Sequence, residues 1–304
     1  MSGMSPFRLL MSREEALKII LETVKPIEKT ESVGIDEAVN RVLACDVKAE
    51  VDVPPFDRAA MDGYAVRAED TFRASQFNPV KLKVVGVLHA GESFKGEIKN
   101  GECVRIATGC PIPNGADAVV MVEFTEEKDG YVSIFRGVYP GENIALKGED
   151  IRQGEIILKR GELLTPAKIG VLASLGYRSI RVYQKPHVAV IPTGSEIRDP
   201  ASPLEDGQIY DVNSYTLTSI LLENGALVTK SPIIPDTFDD ITSAITKHLD
   251  HDLIVFSGGS SVGERDLLVK AIEKMGRLLF HGVQIKPGKP TLFGLVKETP
   301  ILGM

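Results

Sequence analysis

In the stretch His251-Asp-Leu-Ile-Val-Phe-Ser-Gly-Gly-Ser-Ser-Val-Gly-Glu-Arg-Asp266, three structural signals follow one another. Leu253 to Phe256 is a short apolar run with β-branched members, the pattern of a strand buried on both faces. Ser257 to Gly263 holds three glycines and three serines in seven residues. A helical pattern follows, with Leu267, Leu268, Ala271, Ile272 and Met275 on one face and Gly276 as its stop. A strand, a Gly/Ser loop and a helix together aim backbone N–H groups and a helix N-terminus at an anion. Ser257, Gly258, Gly259, Ser261 and Gly263 are therefore candidate binding residues. The stretch lacks both the Gly-Lys-Ser/Thr ending of a P-loop and the Gly-x-Gly-x-x-Gly of a dinucleotide fold, so a tight turn without a ligand remains the alternative.

The same alternation extends to both sides. His187 to Ile191 is a second buried-strand run and leads into Pro192-Thr-Gly-Ser-Glu196. A helix is predicted over 214–223, then a strand over 227–234 that ends in Pro235-Asp236. Thr237 and Asp240 form an N-terminal box for a helix reaching about Leu249. Beyond the opening stretch, 278–285 runs into Lys286-Pro-Gly-Lys289, and 291–296 continues as strand. Strands alternating with amphipathic helices predict a mostly parallel, three-layer α/β domain over 184–304.

Ligands of such sheets sit outside the C-terminal strand ends. Glu196, Asp236 and Asp266 each follow a different strand, as do Lys286 and Lys289. Carboxylates gathered on one edge repel unless a hard divalent cation such as Mg²⁺ neutralises them. The lysines and the Gly/Ser loop supply the opposite polarity, suited to phosphate or another oxyanion. A phosphorylated ligand plus a metal fits both. The alternative is that each acid only caps a helix and each lysine is a solvated surface charge.

Upstream of the α/β region the texture changes. Ser12 and Glu15 form a capping box for a helix with Ala16, Leu17, Ile19, Ile20 and Val24 on one face, closed by Pro26. A second amphipathic segment is predicted over 36–44. Residues 53–140 read as a β-rich inserted domain, with short β runs at 81–88, 103–107, 118–123 and 131–135 parted by Gly, Pro and Asn. Asp62-Gly63 is a turn signal in a Pro/Gly-rich stretch, and Thr108 is the exposed hydroxyl of Arg105-Ile-Ala-Thr-Gly109. Thr165-Pro166 starts a helix that Gly176 ends. Residues 1–52 and 141–183 are then expected to form one mixed α+β linking domain interrupted by the insertion.

Composition bounds the function. The chain has 304 residues and a net charge of −7, with a pI near 5.4, which argues against a nucleic-acid or anionic-membrane surface. Its three cysteines, Cys45, Cys103 and Cys110, have neither zinc nor redox spacing, which fits a reducing cytoplasm. No apolar run reaches membrane-spanning length, and no secretory apolar core opens the chain.

Seven motifs in order carry a resemblance: Pro54-Pro-Phe-Asp-Arg-Ala-Ala-Met-Asp-Gly-Tyr-Ala-Val66, Arg105-Ile-Ala-Thr-Gly109, Gly148-Glu-Asp-Ile151, Thr193-Gly-Ser-Glu196, Asp206-Gly-Gln-Ile-Tyr-Asp211 with Asn213, the Ser257–Gly263 loop, and Lys286-Pro-Gly-Lys-Pro290. Over nearly its whole length the chain resembles the molybdopterin molybdenumtransferases, the MoeA and gephyrin E-domain group. The resemblance implies the last step of molybdenum cofactor synthesis. Adenylylated molybdopterin binds, a divalent cation such as Mg²⁺ assists cleavage of its phosphoanhydride, AMP leaves, and molybdate or tungstate enters at the dithiolene sulfurs. It also implies a homodimer with a cleft between the α/β domain of one subunit and the β-rich insertion of the other, and a molybdopterin adenylyltransferase as a partner.

Carried over residue by residue, Asp62 and Thr108 become cleft residues from the partner subunit. Glu196, Asp236 and Asp266 line the α/β side, with Asp236 and Asp266 as metal ligands. Lys286 and Lys289 hold the oxyanion, and Thr193 and Gly194 join the Gly/Ser loop in binding the cofactor. Two departures stand out. Gly282 occupies a position where the family often has a further lysine, so one positive charge is missing or His281 stands in. The chain also stops at Gly303-Met304, where the family continues into a C-terminal β domain contributing an arginine, so a truncated chain with impaired activity is expected. A non-catalytic molybdopterin-binding scaffold and a Mg²⁺-dependent nucleotide pyrophosphohydrolase are the alternatives.

Overall fold

The structure, a computed structural model, describes residues 10–258 and 267–304. It divides into two compact units: unit 1 is Met1–Ser32 with Arg181–Met304, and unit 2 is Val33–Ile180. Among the described residues five α-helices form: α1 (Arg13–Thr23), α2 (Pro166–Ser174), α3 (Asn213–Glu223), α4 (Phe238–Lys247) and α5 (Leu267–Met275).

Local chemistry sets their starts. Ser12 Oγ accepts the Glu15 N–H at 3.2 Å while the Glu15 carboxylate accepts the Ser12 N–H at 3.0 Å, closing the capping box of α1. Pro166 opens α2, where its missing N–H costs nothing. Thr237 Oγ1 accepts the Asp240 N–H at 3.2 Å and starts α4. The amphipathic segment expected over 36–44 is not a helix. Only a 3₁₀ turn, Ile35–Glu37, forms there, and Asn40 then takes a left-handed φ of 61° that a helix cannot absorb. Ala38 and Leu43 are buried from turns, whereas Val39 and Val42 face outward.

Unit 2 is built around a six-stranded sheet. Its strands are β1 (Gly63–Val66), β2 (Val80–Leu88), β3 (Glu102–Ile106), β4 (Ala118–Met121), β5 (Thr125–Lys128) and β6 (Tyr131–Ile134), in the order β4-β1-β3-β2-β6-β5. Every pair is antiparallel except β2 with β3. Side chains alternate between two cores, as the two-residue period of a strand requires. Tyr64, Val66, Cys103, Ala118 and Val120 enter one; Ala65, Val104, Ile106 and Val119 enter the other. A Cβ on Gly63 would fall onto the Val120 carbonyl, so glycine is what lets β1 and β4 close at that point. Segments on either side of this sheet pair with each other: Val47–Lys48 with Ile156–Leu158, Val42 with Leu163, and Val53 with Ile151.

Unit 1 carries the second six-stranded sheet, made of β7 (His187–Pro192), β8 (Leu227–Lys230), β9 (Leu253–Ser257), β10 (Arg277–His281), β11 (Leu292–Val296) and β12 (Thr299–Gly303). The order is β8-β7-β9-β12-β11-β10, and only β11 runs against the others. The strand expected over 227–234 stops at Lys230, just before Pro232 removes a ladder donor. α4 and α5 cover one face with Ile241, Ile245, Leu268 and Ile272 over Ala189, Ile254, Phe256 and Ile301. On the opposite face, α3 places Leu217 and Leu221 on Val188 and Val255. There too α1, grouped by sequence with residues 141–183, packs Ala16, Ile19 and Ile20 on Phe280 and Phe293. The result is a three-layer α/β unit, in a chain of multi-domain α/β class.

Candidate active site

Because β7, β8, β9 and β10 run the same way, the loops after all four leave the same edge of the sheet. Three strand ends are drawn tightly together there. The Thr193 N–H donates to the Ser257 carbonyl at 3.2 Å, and Thr193 bridges Ile234 in parallel. The Gly258 N–H donates to the Met304 carbonyl at 3.0 Å. Gly258 sits at φ 113°, and a Cβ there would fall onto the Thr193 carbonyl oxygen; only glycine allows this closeness. The backbone donors of Thr193, Gly194 and Gly258 are thus committed to the sheet and its loops.

The side chains are not. Thr193 and Ser257 are 2% and 1% exposed, yet among the described residues Thr193 Oγ1 and Ser257 Oγ have no hydrogen-bond partner; neither has Asp236 Oδ1, on the loop after the neighbouring strand. A buried polar atom left unpaired costs roughly 1–3 kcal/mol, so three on adjacent strand ends call for partners beyond the described residues. Glu196 lies beside them on the loop after β7, exposed to solvent.

Lys286 and Lys289 stand exposed on the loop joining β10 to β11, which closes on itself through Val283 N–H to Lys289 O at 2.9 Å and Thr291 Oγ1 to Gly288 O at 2.6 Å. They share the edge with the acids but not the same half of it. Asp236 follows one outermost strand and the lysines the other, five strand spacings away, or about 24 Å at the level of the sheet. Asp266, Gly259, Ser261 and Gly263 lie outside the described residues.

In unit 2 the sequence-predicted pair is joined directly. Asp62 Oδ1 accepts the Thr108 backbone N–H at 2.7 Å and the Thr108 hydroxyl at 2.9 Å. These two donors, the backbone one first, hold the Asp62 carboxyl below its ordinary range. Beside it is a recess of about 410 Å³ lined by Asp62, Gly63, Val87, His89, Arg105 and Val122, among others. Arg105 opens the Arg105–Gly109 motif and is not among the residues that the sequence points to. Its alternation with buried Val104 and Ile106 is the signal that turns it outward.

Among the described residues, no three or more His, Cys, Asp and Glu side chains are grouped to hold a metal ion. The Asp236 oxygen nevertheless suits Mg²⁺, which binds through one or two carboxylates plus substrate phosphate and water rather than an all-protein cage. Nor, among the described residues, is any helix long and apolar enough to cross a membrane.

Comparison with known proteins identifies the family. The family profile described as the MoeA N-terminal region (domain I and II) matches residues 11–176, and the one described as "Probable molybdopterin binding domain" matches residues 189–304. Molybdopterin molybdenumtransferase of Haemophilus influenzae is 36% identical over 297 residues, covering 97% of this chain and 72% of that protein. The Bacillus subtilis protein of that name is 37% identical, covering 96% and 69%. A crystal structure of the molybdopterin biosynthesis MoeA protein from Pyrococcus horikoshii superposes with a TM-score of 0.81 at 39% identity, covering 97% of this chain and 74% of that one. With two profiles spanning the chain, relatives at this identity and a shared fold, this protein belongs to the molybdopterin molybdenumtransferase (MoeA) family, enzymes of molybdenum cofactor biosynthesis.

Proposed function

We propose that the chain inserts molybdate, or tungstate, into adenylylated molybdopterin with release of AMP. The observation that carries this reading is the set of buried oxygens of Thr193, Ser257 and Asp236 at adjacent strand ends that are unpaired among the described residues. Two hydroxyls that can donate and one carboxylate oxygen are what a phosphorylated ligand and a hard cation require side by side. Lys286 and Lys289, on the far half of the same edge, suit the other end of an extended anionic ligand.

Bound Mg²⁺ would neutralise charge on the phosphoanhydride as it breaks. Asp236 would hold that ion, with Asp266 as its second carboxylate. Thr193 and Ser257 would orient the phosphoryl oxygens, and Glu196 would face the reacting end from its exposed loop. Asp62 and Thr108 would act on a substrate held by a second copy of the chain, in a cytoplasmic homodimer supplied by an adenylyltransferase.

Incubation with adenylylated molybdopterin, Mg²⁺ and molybdate tests this. AMP should appear only when both the metal and molybdate are present. Intact substrate under those conditions would count against the proposal.

A further inference from the structure

The recess beside Asp62 carries a cation that the residues of the proposed reaction leave out. Arg105 lies opposite Tyr64 on β1 and Val87 on β2, so all three share a face at one end of the unit 2 sheet. Its one carboxylate neighbour within 4.0 Å among the described residues is Glu127, with Nη1 to Oε2 at 3.7 Å. That same oxygen already accepts the Tyr64 hydroxyl at 2.6 Å. The guanidinium is therefore not locked in a bidentate pair, and its side chain is 56% exposed.

The surroundings favour an anion over another protein group. Asp62, the one acid among the described residues that line the recess, has Oδ1 engaged by both Thr108 donors rather than by Arg105. His89 donates its backbone N–H to Glu92 at 2.9 Å, while its ring makes no hydrogen bond among the described residues. Val87 and Val122 are half exposed and give the recess apolar walls for the body that carries the charge. About 410 Å³ is within the range of a small-molecule site.

We infer that Arg105, with His89 beside it, is the contact for a tetrahedral oxyanion in this recess. The identity of that anion rests on the proposed function: it is the phosphoryl group of the nucleotide half of the substrate, or molybdate itself. Both are compact oxyanions that a guanidinium holds by charge-assisted hydrogen bonds.

Calorimetric titration of the whole chain with AMP, and separately with sodium molybdate, tests the inference. Arg105→Gln should weaken binding of one of the two by about tenfold or more, the size of one lost charge-assisted hydrogen bond. Arg105→Lys should restore part of it. Glu127→Gln removes the same ion pair while keeping the cation, and should bind as the unaltered protein does. A loss confined to AMP assigns the recess to the phosphoryl group, and a loss confined to molybdate assigns it to molybdate. Undiminished affinity for both in Arg105→Gln overturns the inference, as does equal loss in Glu127→Gln or failure of the unaltered chain to bind either ion. Arg105-dependent binding in a protein that never releases AMP from adenylylated molybdopterin would sink the proposed function and leave this contact standing.

Discussion

At the strand ends of unit 1, Thr193, Ser257 and Asp236 keep buried oxygens that bond to nothing among the described residues. At the start of β1 in unit 2, Asp62 and Thr108 complete each other through two short hydrogen bonds. The first arrangement is unfavourable until each oxygen gains a partner from beyond the described residues, as a bound ligand would supply. The second is self-sufficient: its carboxylate is fixed in place and kept ionised whether or not anything binds. A site whose parts are missing partners and a site whose parts are each other's partners respond to mutation in different ways.

The largest expected effect tests the incomplete site. Asp236→Asn should lower AMP release by about 100-fold or more, as loss of a positioned charge at a reacting phosphate does. The melting temperature should barely move, because the oxygen lost was unpaired. A collapse of stability would mean Asp236 is structural. Next comes the complete pair. Thr108→Val keeps the backbone donor and removes the hydroxyl, so the Asp62 carboxyl should titrate higher by NMR and AMP release should drop about tenfold. An unchanged titration would show that the hydroxyl bond is not formed in solution.

The opposite behaviour of the two regions appears most sharply in stability. Ser257→Ala deletes a buried unpaired hydroxyl, so the ligand-free protein should hold its melting temperature or gain about 2–4 °C, the shift for 1 kcal/mol in a chain of this kind. A clear loss of melting temperature would place a partner on that hydroxyl. The smallest effect lies at the other edge of the unit 1 sheet. His187 and His248 both pack on the His251 ring there, His187 tilted at a centroid distance of 4.0 Å and His248 edge-on at 4.8 Å. Burial, then the neighbouring His251, lowers the His248 pKa below its ordinary 6.5. The folded state then binds this proton less readily than the unfolded one. Its contribution is complete above pH 6.5 and is lost as the pH falls from there towards the lowered value. Urea midpoints taken across that window should fall with pH, and His248→Gln should flatten the slope.

What could be read from sequence was what neighbouring residues decide. The Ser12–Glu15 box, Pro166 and Thr237 each act within three residues, and all three helices begin where those signals stand. Apolar patterning marks most strands of the two sheets but not Gly63–Val66, read as a turn, nor Thr125–Lys128 and Thr299–Gly303. The segment over 36–44 misled because Ala38, Val39, Val42 and Leu43 have helical spacing, while the left-handed turn at Asn40 is set by tertiary pairing of Asn40 and Leu43 with Leu164 and Glu162. The strand-end location of Glu196, Asp236 and the lysines was legible from chain order. The wide division between acids and lysines was not, since it depends on strand order, which sequence neighbours do not encode. The role of Arg105 was hidden for the same reason, because β1 and β2 supply its surroundings.

The central claim is that the buried oxygens at the unit 1 strand ends wait for a phosphorylated pterin. Calorimetry of molybdopterin with the whole chain and Mg²⁺, repeated with Ser257→Ala, tests it most directly. One molecule should bind per chain, with affinity at least about tenfold lower in the variant. Equal affinity in both proteins, at equal melting temperature, would contradict the account.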